Sequence, residues 1–391
     1  MIARRTVLWL GLAQLVSWGV TYYLIGGFGD AMTADLGWSR GVVFGGFSAA
    51  LLTTALVSPV AGRWIDRHGG RRVMTAGSLL NAAGCAGLAL GHSLVSYYAA
   101  WIALGVAMRL TLYDAAFAAL ARIAGAGARR AMAQITLLGG LASTVFWPLG
   151  HWIAQLVGWR GAVLAYAGFA LATIPLHLAI PDARHETATA AAPAAALRPL
   201  AASRADRIIA SALYAAIAAL ASFLNAGMSS HMIGILTGLG VAVATAVWIA
   251  TLRGVGQSAA RLSEVVFGRR IDPLSLNVLA AALLPLSFVA GLFSGRSAAA
   301  AAGFALVYGA ANGILTITRG TLPLVLFDPR IYGAFVGKLL IASFVLSAAG
   351  PVIYASVILH LGDDGALVLS LVAAGLVLAA ALLLRLRFHR R

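Results

Sequence analysis

Charge is what this sequence has least of. Only 10% of its 391 residues are Asp, Glu, Lys or Arg, whereas a soluble globular domain carries roughly 25%. Acids are the scarcer sign, 12 against 28 Lys and Arg, for a net charge of +16. There is a single cysteine, Cys85. That excludes a disulfide framework within one chain, and in its apolar run Cys85 reads as a small core residue. No Gly-rich loop runs into Lys-Ser or Lys-Thr, so ATP-driven work is not expected. No His, Cys and acid group has metal-ligand spacing, and no nucleophile stands with a base. An enzyme, a cofactor and a metal site are therefore not expected.

What the chain does have is apolar length: 61% of its residues are hydrophobic. Runs of about 20 such residues cross roughly 30 Å of hydrocarbon, and they recur throughout. The sequence predicts an all-α membrane protein with twelve transmembrane helices, at 7–29, 41–62, 73–91, 94–121, 131–156, 161–180, 208–236, 241–262, 275–294, 298–325, 332–359 and 365–386. Turn-rich stretches such as "DLGWSR", "AGAGARR", "FDPR" and "LGDDG" separate them. The start runs from Arg4 and Arg5 straight into a span with no small-residue cleavage site that stands out, so a cleavable leader is not expected.

The net charge of +16 would suggest nucleic acid in a soluble protein; here it follows topology. With the N-terminus inside and the spans alternating, twenty-two of the 28 Lys and Arg fall on the inner side. Three (Arg40, Arg160 and Arg296) fall outside, and three (Arg109, Arg253 and Arg319) lie within spans. This asymmetry supports both the span count and cytoplasmic termini. The Ala-rich segment 181–207 reads as a cytoplasmic linker between halves 1–180 and 208–391. The halves look related: "GRWID" at 62–66 has a counterpart in "GRRID" at 268–272, and Pro148 one in Pro351. Such repeats mark secondary transporters, whose substrate site lies near the midplane.

The stretch "GRWIDRHGGRRVM", 62–74, resembles the loop signature of the major facilitator superfamily, with Gly62, Asp66, Arg67, Gly69, Arg71 and Arg72 in the signature positions and Gly70 where a basic residue is usual. The resemblance implies two pseudo-symmetric six-helix halves in which spans 1, 4, 7 and 10 line a central cavity and spans 2, 5, 8 and 11 close the interface. Gly62 is expected to allow close helix approach. Asp66 is expected to pair with Arg67 or Arg122, or to face a helix N-terminus, as part of a latch whose second-half copy carries Asp272. A finer similarity, in "SWGVTYYL", "LYDAAFAALAR", "GGLASTVFWPLG" and "LTITRGTLP", is to bacterial permeases of the monocarboxylate and oxalate/formate branch, and it implies a small organic anion as substrate.

A charged residue at a helix centre costs roughly 2.5–3.5 kcal/mol on insertion scales, so Arg109, Arg253 and Arg319 need partners. Asp114 is the one acid clearly inside a span. The excess positive charge points to the substrate as counter-ion, since the planar arginine fork suits a carboxylate. Arg253 is the first substrate-binding candidate, with Gly254 and Gly256 allowing close approach. Arg109 is a second, balanced against a structural pair. On a continuous helix five residues turn about 140°, so Arg109 and Asp114 would not share a face. Tyr113 joins Arg109 by i,i+4 spacing. Tyr22, Asn225, His231 and Asn312 are candidate cavity-lining groups, His231 also a pH-sensitive gate. Asp114 is weighed as a coupling proton carrier against an ion pair, and Arg319 as structural or a gate.

The expectation is a monomeric secondary transporter of a small organic anion, a monocarboxylate, working by alternating access in the bacterial inner membrane. The alternatives are an efflux transporter for a drug-like or toxic compound, metalloid species included, and a non-transporting membrane sensor.

Overall fold

The computed structural model describes residues 2–124, 128–182, 199–267, 271–327, 339 and 341–388, apart from a few side chains, Asp66 among them. Among these residues every regular element is a helix. In chain order they are α1 Arg4–Val20, α2 Leu24–Leu36, α3 Arg40–Leu90, α4 Leu94–Thr111, α5 Tyr113–Ala124, α6 Arg129–Gly140, α7 Ala142–Ala172, α8 Ile174–Leu178, α9 Arg204–Gly238, α10 Val243–Phe267, α11 Pro273–Gly291, α12 Ala298–Leu326 and α13 Ile341–Phe388. Backbone polar groups in hydrocarbon must be satisfied within the chain, and helices do this locally.

Nine helical segments among the described residues are long and apolar enough to cross a membrane. Two of them, Gln134–Leu178 and Ile341–Phe388, are broken by glycines at positive φ, Gly158 and Gly362, and each supplies two spans. The 25-residue α10 is long enough but holds Arg253, Arg261 and Glu264 and falls outside those nine. With it, the helices account for all twelve predicted spans; the start of the eleventh, 332–338, lies outside the described residues, as does most of the linker.

Several spans are interrupted where the sequence suggested continuity. The first turns at Thr21–Tyr23, between α1 and α2. The fourth breaks at Leu112, whose ψ of −171° is extended. The helix starts are conventional: Ser39, Ser93, Ser203 and Ser297 cap α3, α4, α9 and α12, each offering an oxygen to an otherwise orphaned N–H.

The chain divides into two compact units, Met1–Thr187 with Ser229–Gly234, and Ala188–Met228 with Ile235–Arg391. In the first, α3 packs on α4, α5 and α7, and α1 on α6 and α7. At one end of it Asp35 accepts from Trp159 Nε1 and Arg160 Nε, both at 3.2 Å, while Arg160 Nη1 donates to Ala89 and Gly91 carbonyls. In the second unit α12 packs on α10 and α11, and α11 on α13. Cys85 is fully buried, as its apolar run suggested.

Candidate functional site

Three of the expected site residues meet in the second unit. Arg253, midway along α10, is 0% exposed. Its Nη2 donates to Asn225 Oδ1 on α9 at 2.7 Å. Asn312 Nδ2 on α12 donates to the same oxygen at 3.0 Å. The guanidinium carbon lies 5.3 Å from the centroid of the Tyr308 ring, within cation–π range. Glycines set the closeness of α10 to α12. A Cβ on Gly309 would collide with the backbone of Arg253, one on Gly313 with that of Gln257, and one on Gly256 with that of Leu306. Small residues on both helices thus let the backbones touch, which carries Arg253 into reach of Tyr308 and Asn312. Tyr308 and the buried Gln257 escaped the sequence reading. The available signal was spacing, since Tyr308 precedes Asn312 and Gln257 follows Arg253 by four residues.

In the first unit, Arg109 Nη1 lies 2.9 Å from Asp114 Oδ2. The sequence expectation that these two cannot share a face is corrected, because it assumed a continuous helix. The break at Leu112 brings them together. Each charge also sits at the favourable pole of its own helix, Arg109 in the last turn of α4 and Asp114 in the first turn of α5. A backbone carbonyl beside the break is satisfied by Gln14 Nε2, which donates to Thr111 O at 2.7 Å, and the Thr111 side chain is held by Asn81 Nδ2, which donates to its Oγ1 at 3.1 Å. The same break falls between Arg109 and Tyr113. Tyr113 Oη donates to Thr136 O at 3.3 Å, and its ring packs on Trp18 and Phe117. Tyr22 is buried among Trp18, Tyr23 and Phe47. His231, in the Ser229–Gly234 part of this unit, is 1% exposed and stacks on Phe44 with centroids 4.1 Å apart.

Arg319 acts through α9: its carbonyl accepts from Tyr214 Oη at 2.8 Å and its Nη1 reaches Ser222 Oγ at 3.5 Å.

The signature loop turns at Gly69, with φ 80° and ψ 157°, a conformation open essentially to glycine alone. A side chain there would also strike Arg122 and Asp182, which form an ion pair at 3.1 Å. Arg71 Nε donates to Ile180 O at 2.8 Å, whereas Arg67 and Arg72 are exposed. Among the described residues nothing lies within 4 Å of a Cβ built on Gly62. The side chain of Asp66, and with it the proposed pairing, lies outside the described residues. Asp272 caps α11, accepting from Leu274 N and Ser275 N at 3.0 Å each; residues 268–270 of the second copy are outside the description.

The candidate site is thus one buried arginine held among polar side chains of apolar helices. A family profile for the Major Facilitator Superfamily matches residues 10–351, and the chain belongs to that superfamily. A search of curated protein sequences finds no match. Solved structures with similar folds include the nucleoside transporter NupG, at 15% identity, 99% coverage of each chain and a TM-score of 0.72. A D-xylose–proton symporter is similar at 14% identity, covering 97% of this chain and 96% of that one, with a TM-score of 0.75. The human organic anion transporter MFSD10 (TETRAN) is similar at 20% identity, 97% and 98% coverage and a TM-score of 0.66. At such identities the likeness shows the fold. As a member of that superfamily the protein is a multi-pass membrane secondary transporter of a small molecule, not an enzyme.

Proposed function

We propose that the protein carries a small organic anion, a monocarboxylate, by alternating access, and that Arg253 binds it. The observation that carries this reading is a fully buried guanidinium set against an amide oxygen and a phenol ring. Asn225 and Tyr308 are both neutral groups. Glu264, the acid nearest to Arg253 in sequence, is about 16 Å further along α10. A carboxylate cargo would neutralise Arg253, and its two oxygens suit the arginine fork. Asn225 and Asn312 would orient it. The name of one structural relative, an organic anion transporter, agrees with this, but the argument rests on Arg253.

The proposal extends to halves 1–180 and 208–391 joined by a cytoplasmic linker, and to a latch built from Gly62, Asp66, Arg67, Gly69, Arg71, Arg72, Arg122 and Asp272. It also includes both termini on the cytoplasmic side of a bacterial inner membrane, which the Lys and Arg asymmetry supports, and function as a monomer.

Thermal unfolding in detergent tests it, because a ligand that binds the folded state raises apparent stability by mass action. Short monocarboxylates should stabilise the wild type more than dicarboxylates, inorganic oxyanions or neutral and cationic drug-like compounds. Arg253→Gln should lose that response. Stabilisation by neutral or cationic compounds alone would sink the anion reading and favour an efflux role.

A further inference from the structure

Near the signature loop, Trp64, His68, Arg72, Val73, Ala76 and Leu110 line a groove of about 210 Å³. It is built within the first unit, by α3 on both sides of Gly69 and by α4. Its surface is almost wholly apolar, though His68 and Arg72 are among the residues that line it. Val73 and Leu110 are buried apolar side chains and Ala76 continues their surface, while Trp64 is 46% exposed at the side. His68 and Arg72 are exposed at the other end. Arg63 and Arg67 are exposed nearby, whereas Arg71 is engaged by the Ile180 carbonyl. Between residues 62 and 72 there are four arginines and one acid, Asp66. The helix rises about 6 Å from Arg72 to Ala76, so the groove leads from a cationic rim into an apolar interior.

Few occupants use both ends. A soluble anion would leave Trp64 and Leu110 uncovered, and a neutral apolar compound would gain nothing from the arginines. An anionic phospholipid matches the whole: phosphate at Arg72, acyl chain along Trp64, Val73, Ala76 and Leu110. Trp64 stands at the end of the apolar segment Arg40–Ile65, and tryptophan favours the boundary between headgroup and chain. We propose that this groove binds an anionic phospholipid from the leaflet on the arginine-rich side. Nothing in it depends on the identity of the transported substrate.

The probe is a brominated acyl chain, which quenches tryptophan emission on contact. The full-length protein is reconstituted in phosphatidylcholine containing either brominated phosphatidylglycerol or brominated phosphatidylcholine. The Trp64 signal is the difference between wild type and Trp64→Phe. One arginine near an anionic headgroup is worth about five-fold in local binding. Phosphatidylglycerol should therefore quench Trp64 at about a five-fold lower mole fraction than phosphatidylcholine, and Arg72→Gln should remove most of that preference. The same lipid comparison on total tryptophan emission, wild type against Arg67→Gln/Arg72→Gln, requires no change at Trp64. Equal quenching by the two lipids overturns the proposal. So does a Trp64 shielded from both, as when another segment of this chain fills the groove, or a preference that survives loss of both arginines.

Discussion

Arg253 donates to Asn225, and the acceptor is an amide oxygen at 2.7 Å. Arginine can only donate, so this contact fixes which way the Asn225 amide faces. Asn312 must then offer its nitrogen to the same oxygen, as it does at 3.0 Å. The order of the cluster thus follows from one residue that has no choice of role.

Replacing Asn225 with Asp would keep both hydrogen bonds and place a negative charge against Arg253. Asn225→Asp should fold with an unchanged or raised unfolding temperature and lose stabilisation by monocarboxylates. At a ligand concentration of about 100 Kd the wild type should gain about 2.7 kcal/mol, and the variant close to none. An unchanged ligand response in Asn225→Asp would show that the charge of Arg253 is not what the ligand reads.

The glycine contacts between α10 and α12 predict a contrast along one helix. Gly309→Ala inserts a methyl group against the Arg253 backbone, and overpacking costs about 1–3 kcal/mol. Gly303→Ala, with nothing within 4 Å among the described residues, should be neutral or slightly stabilising, since alanine is the better helix former. Thermal unfolding of the two variants side by side checks this. Equal effects would mean that the α10–α12 approach is looser than described.

The same logic applies at the signature loop. Gly69→Ala meets both a positive φ and the Arg122–Asp182 pair, and backbone strain of this kind costs about 1–3 kcal/mol. Gly62→Ala should be tolerated. Unfolding temperatures that fall for Gly69→Ala and hold for Gly62→Ala are the expected result.

Arg109 and Asp114 should show energetic coupling. The aspartate side chain is 65% exposed and the arginine 14%, so solvent screens the pair and its interaction energy should be about 1 kcal/mol. A double-mutant cycle with Arg109→Gln and Asp114→Asn, read by unfolding, measures it. Strict additivity would mean that the contact contributes nothing.

This pair also shows where sequence reasoning stopped. The stretch "MRLTLYDAA" contains no glycine or proline, so helical spacing is the natural ruler, and it fails at Leu112. The break is held by Gln14, 97 residues away in the chain, and no local pattern carries that information. At Gly62 the motif position was legible, while its surroundings were not. By contrast, the spans were legible because bilayer thickness sets their length. Arg253, Asn225 and Asn312 were legible as polar residues placed at a cost inside apolar helices. Tyr308 was not, because an aromatic ring in such a helix looks like ordinary core.

The tight seat of α10 on α12 has an electrical consequence. With their backbones in contact and the Arg253 side chain buried between them and α9, its charge travels wherever those helices travel. On the proposed reading, an empty carrier takes a positive charge through whatever part of the membrane field its pocket crosses, while a carrier holding a monoanion is neutral there. A full elementary charge across 100 mV is worth about 2.3 kcal/mol. A negative-inside potential would then draw the empty pocket inward and leave the loaded one indifferent, so membrane voltage would act on the return half of the cycle.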